Sequence, residues 1–187
     1  MNAGMIVLIV VIVLIVVLLL FCAVTYNSLI SYRNRVKDQW SQIEVQLKKR
    51  FDLIPNLVQT VKGYATHESK TLENVVNARN MYANAKNPDE EIDASNMLTS
   101  AVSKLFALSE SYPDLKANAN FMSLQTDLKD IEEKIAFSRQ FYNDTVLSLN
   151  NKIEQFPSNI IAGLFKFKSE PFFKAEEEAT QNVKVEF

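Results

Sequence analysis

The stretch from Met5 to Val24, MIVLIVVIVLIVVLLLFCAV, carries no charge and scarcely a polar atom. A helix of about twenty such residues rises ~30 Å, the thickness of the hydrocarbon core of a bilayer. A cleaved signal peptide would have a basic start and a shorter apolar core. Here the start is MNAGM, without Lys or Arg, so residues 1–25 are expected to be a retained transmembrane anchor. Lipid attachment at Cys22 is disfavoured by bulky Phe21 before it, where processing wants a small residue. As the single cysteine, Cys22 makes no internal disulfide. The span holds no ionisable side chain, so it offers no ion path or proton relay of its own.

Charge beside the span sets the expected orientation. Arg33, Arg35 and Lys37 follow it, whereas only the α-amino group precedes it. Positive flanks stay inside, which puts the short N-terminus outside the cell and the domain in the cytoplasm.

The rest of the chain amounts to one domain. The whole sequence contains only 3 Gly and 5 Pro, which argues for long helices over sheet. A net charge of −2 provides no overall basic field for nucleic acid, and that class of partner is set aside.

Apolar residues then recur at steps of three and four. Tyr26, Leu29, Val36, Trp40, Ile43 and Leu47 form one stripe, and nothing between Val24 and Tyr26 breaks the anchor helix. A proline costs ~3 kcal/mol inside a helix but is welcome in its first turn. The pattern Phe51-Asp52-Leu53-Ile54-Pro55 therefore predicts a turn near Phe51, with Asp52 as N-cap and Pro55 in the first turn of a second helix. That helix is expected over about residues 53–85, with Gly63 inside it permitting a close helix approach. AKNPDEE predicts a turn near Asn87 and a third helix over about 88–111; SYPDLKAN predicts another turn near Pro113. The fourth helix has the most regular pattern, from Phe121 through Leu124, Leu128, Ile131 and Ile135 to Tyr142 and Leu149, and should end at Phe156-Pro157. The expected fold is all-α: an anchor helix running into an up-and-down four-helix bundle over 26–156, with a tail over 157–187. NVKVEF at the end alternates apolar and polar residues and predicts a short extended piece. A faint echo, YNSLISYRN against YNDTVLSLN, reads as a chance match rather than a register-setting Asn pair.

Several stretches are recognisable: RNRVKDQWSQIEVQLKKRFDLIPNLVQTVKGYATHE, then ARN, then ESYPDLKANANF, and finally FPSNIIAGLF before FFKAEEEA. In this order and wording the chain resembles the LemA family of bacterial membrane proteins, over nearly its whole length. It departs in detail, with Gln39 where alanine is usual, Glu44 for aspartate, and Lys49 within a usually arginine-rich run. The resemblance implies one N-terminal span, a short N-terminus outside the cell, an all-helical domain and an address in the bacterial inner membrane. It implies no activity.

Candidate chemistry is sparse. His67-Glu68 would begin a zinc helix only with a second histidine one turn on; that position is Thr71, and no other histidine exists. No serine sits in a Gly-x-Ser-x-Gly turn, and three scattered glycines make no phosphate loop. Glu73 and Asp130 fall on polar faces. No catalytic, cofactor-binding or metal-binding residues are assigned, and Asp52, Pro55 and Gly63 read as structural elements of the hairpin. The C-terminal FPSNIIAGLFKFKSEPFFK mixes aromatics with Lys166, Lys168 and Lys174. An up-and-down bundle returns this segment to the membrane side. Ile160, Ile161, Leu164, Phe165, Phe167, Phe172 and Phe173 are therefore candidates for contact with lipid or with another subunit. The functional expectation is a non-enzymatic membrane-anchored scaffold that forms homo-oligomers or organises partners. The alternative is an accessory subunit of a membrane enzyme such as a protease.

Overall fold

The computed structural model describes residues 2–65 and 68–173. It is all-helical, with no strand among the described residues, and NVKVEF and His67 lie outside them. Among the described residues six helices follow in order: α1 Ala3–Lys62, α2 Ser69–Asn84, α3 Pro88–Ser109, α4 Pro113–Lys116, α5 Ala119–Glu154 and α6 Ser158–Leu164. The turns near Asn87 and Pro113 and the break at Phe156-Pro157 fall where local chemistry predicts.

The expected turn at Phe51 does not form. Helix α1 runs for 60 residues, through the span and straight past Phe51, Asp52 and Pro55. Pro55 has no N–H to donate to Phe51 O one turn earlier, and an orphaned carbonyl is costly. Arg79 on α2 fills that vacancy, its Nε donating to Phe51 O at 3.3 Å while its guanidinium lies 3.8 Å from the centroid of the Phe51 ring. Asp52 is correspondingly no N-cap; its carboxylate pairs with Lys48 one turn back on the helix surface. Gly63 is not a mid-helix packing glycine either. It lies just past the last residue of α1, and a Cβ there would meet only Thr60 O at 3.5 Å, an ordinary contact. The hairpin thus begins a dozen residues later than the proline suggested.

Helix α3 shows why its start was legible. Pro88 occupies the first turn, Asn87 Oδ1 accepts from Glu90 N at 2.9 Å, and Glu90 Oε2 accepts from Lys86 N at 2.7 Å. These bonds resemble a capping box, with Glu90 reaching the N–H one residue before the cap, and three acidic residues in the first turn help. Asn118 caps α5 from one side only, its Oδ1 accepting from Phe121 N at 3.0 Å.

The chain divides into two units, Met1–Ser41 with Gln140–Phe172, and Gln42–Arg139 with Phe173. In the second unit the core draws on five helices: Ile54, Leu57 and Val61 of α1, Leu72 and Val75 of α2, Leu98 and Leu105 of α3, Leu115 of α4, and Phe121 and Leu128 of α5. In the first unit Leu29 and Val36 of α1, Val146 and Leu149 of α5, and Ile161 of α6 are buried, whereas Met5 to Leu20 are all exposed. The N-terminal part of α1 is long and apolar enough to cross a membrane.

Candidate functional site

In the first unit, the C-terminal segment is built onto α1 and α5. Helix α6 ends in a Schellman turn: Phe167 N donates to Ala162 O at 2.9 Å and Lys166 N to Gly163 O at 3.1 Å. The turn places Lys166 at φ 57°, a left-handed conformation that glycine adopts more cheaply. From there residues 165–171 run back as a strap. The Phe165 ring packs 4.6 Å from Tyr26 and the Phe167 ring 6.0 Å, with the Arg33 guanidinium 5.5 Å over Phe167. Asn150 clamps the strap backbone by two bonds, Nδ2 donating to Glu170 O at 3.0 Å and Glu170 N donating to Oδ1 at 2.9 Å. Tyr142 Oη donates to Pro171 O at 3.1 Å, and its ring lies 5.5 Å from Trp40. Tyr26, Tyr142 and Asn150, all within the faint sequence echo, thus hold the strap.

The candidate interface residues differ in burial. Ile161 and Phe173 are buried; the Phe173 ring, in the second unit, lies 4.2 Å under the Arg139 guanidinium. Phe167 is half-buried. Ile160, Leu164, Phe165 and Phe172 stay exposed, as does Phe156 in the turn before α6.

The second unit contains a polar cluster that sequence reasoning missed. Arg50 of α1 is only 2% exposed. Its Nη1 donates to Thr99 Oγ1 at 2.7 Å and to Glu132 Oε2 at 2.8 Å, and its Nη2 to Ser95 Oγ at 2.7 Å. Arg139 Nη2 reaches the same Ser95 Oγ at 3.2 Å. The signal was present: Arg50 sits in register with Leu47 and Ile54 on the apolar stripe, and a turn at Phe51 would have ended that stripe too early. A guanidinium stays protonated and only donates, so Arg50 cannot act as acid or base. The adjoining cleft, about 170 Å³, is lined by Arg50, Thr99, Phe106 and Glu132. Small-molecule sites usually exceed ~300 Å³, so the cluster reads as a clamp joining three helices.

Two acidic groups nearby are strained in charge. Burial pushes the Glu91 carboxyl above its ordinary range, helped by the negative charge of Glu44. Burial likewise raises the Tyr82 phenol to about 12, with Glu91 and Glu44 adding to it. Among the described residues no group of His, Cys, Asp or Glu is arranged to hold a metal ion.

A sequence model of the LemA family matches residues 39–187, most of the chain. The chain belongs to the LemA family. Relatives include Protein LemA of Metamycoplasma hominis, 25% identical, with 81% of this chain and 69% of that protein aligned. Magnetosome protein MamQ 2 of Paramagnetospirillum magneticum is 21% identical, with 80% of this chain and 64% of the relative covered. Magnetosome protein MamQ of Magnetospirillum gryphiswaldense is also 21% identical, over 79% and 64%. This LemA-family chain therefore spans less than two thirds of the MamQ proteins. None of these relatives is named for a reaction. With its apolar N-terminal helix, the chain is a membrane-associated helical protein of a bacterial family.

Proposed function

We propose that this LemA-family protein is a non-enzymatic, membrane-anchored scaffold. It self-associates and organises partners at the cytoplasmic face of the bacterial inner membrane. The observation that carries this reading is the continuity of α1 from Ala3 to Lys62. One helix supplies the anchor and then Leu29 and Val36 of the first unit's core, with no loop between them. An anchor continuous with a packed helix of the first unit suits a protein whose work is holding position. We read the helices as an up-and-down bundle, with the chain orientation set by positive flanks. The strap supports that orientation, because Phe165 and Phe167 against Tyr26 bring Lys166 and Lys168 to the flank already carrying Arg33 and Arg35.

Exposed phenylalanines support self-association. Phe141 is 60% exposed on α5 in the first unit, and Phe137 is 63% exposed in the second. Full-length protein purified from native membrane in mild detergent should run as a large homogeneous particle of this chain alone. Phe141→Ser should shrink that particle while leaving helicity unchanged. A monomeric parent would overturn the proposal, and a stoichiometric second chain such as a protease would favour an accessory-subunit role.

A further inference from the structure

We propose that α6 is a second membrane contact: a short foot lying in the headgroup layer beside the anchor, its outer face against lipid. The inference goes beyond the scaffold reading and needs only an inserted α1. On α6, Ser158, Ile161 and Ala162 turn inward and are buried. The opposite face presents Ile160 at 60% and Leu164 at 71% exposure, one helical turn apart. Phe156 before the helix is 80% exposed and Phe165 at its end 51%. A seven-residue helix that shows water this much apolar surface calls for a cover.

Depth identifies the cover. The exposed apolar run of the span ends at Val24, and Tyr26 lies only ~3 Å further along the helix axis. The headgroup region adds roughly 5–7 Å to each side of the hydrocarbon core. The Phe165 ring sits 4.6 Å from the Tyr26 ring, which places the end of α6 at that level. The apolar face of α6 is thus continuous with a surface already committed to lipid. Exposed Lys166 and Lys168 follow at once, suited to reach phosphates while Phe165 stays among the upper acyl carbons. Tyr26 itself is the kind of aromatic enriched at this depth.

The test uses the full chain carrying Cys22→Ser, reconstituted in vesicles of phosphatidylcholine and phosphatidylglycerol. Single nitroxide labels are placed at Ile160→Cys, Leu164→Cys, Leu14→Cys and Asp144→Cys. Collisions with oxygen report lipid, and collisions with a water-soluble nickel chelate report solvent. The ratio of oxygen to nickel accessibility at 160 and 164 should exceed that at 144 several-fold and approach that at 14. Equal ratios at 160, 164 and 144 would overturn the proposal. So would shielding from both reagents with spin–spin broadening, which would assign the face to a second copy. The label at 14 reports separately whether the anchor is inserted, so failure of the foot and failure of the anchor are told apart.

Discussion

Glu91 sits at the start of α3, and its Oε2 is buried without a hydrogen-bond donor among the described residues. Burial and then the charge of Glu44 raise its carboxyl above the ordinary value of 4.5. The sign of the stability effect follows. Between the ordinary and the raised value the folded state binds more protons than the unfolded chain, so stability falls as pH rises through that window. Above it the penalty for holding the carboxylate is fully present; below the ordinary value it vanishes. Glu91→Gln should therefore be more stable than the parent at neutral pH and converge with it in acid. Urea midpoints of the full chain in mild detergent, taken across a pH series, check this. Parallel profiles for parent and variant would show that Glu91 is not the group responsible. Arg50 makes the contrasting case. It is more deeply buried than Glu91, yet both its terminal nitrogens find acceptors in Glu132, Thr99 and Ser95.

At the scale of elements, α1 and α2 share one device. The proline that should have ended α1 is accommodated because Arg79 supplies the donor that Pro55 lacks. Removing Arg79 strips a hydrogen bond from Phe51 O and a cation from the Phe51 ring, and Arg79→Ala should cost about 1–2 kcal/mol. In a Pro55→Ala background the cost should be smaller, since the backbone N–H at 55 can then serve Phe51 O. A double-mutant cycle by chemical denaturation measures the difference. Additivity within ~0.3–0.5 kcal/mol would separate Arg79 from the proline. Two of the stretches that carry the family resemblance, the one containing FDLIPN and ARN, meet at this contact.

For the whole molecule the decisive quantity is charge beside the membrane. Arg33, Arg35 and Lys37 flank the span in sequence, and Lys166 and Lys168 follow the residues that pack on Tyr26. Positive flanks resist translocation. A tag at Met1 should accordingly be reachable from outside intact cells and a tag after Phe187 should not. Labelling of the C-terminal tag from outside would reverse the orientation.

What the amino-acid order determined by itself was local or compositional. An uncharged run of about twenty residues requires a span-length helix whatever follows it. Caps such as Asn87 with Glu90 mark helix starts because every bond involved lies within four residues. The regular stripe from Phe121 to Leu149 likewise predicts α5 from its own spacing. Tertiary structure decided the rest, and for one reason: the energies that mattered came from partners far along the chain. Pro55 stays inside α1 on account of a side chain 28 residues from the carbonyl it leaves unpaired. Arg50 is a core residue because Glu132, 82 positions away, comes to meet it. The C-terminal apolar residues were visible as a group, but which turn inward and which face outward was settled by Tyr26, Asn150 and Tyr142 receiving the strap. Spacing along one helix cannot encode a donor that arrives from another.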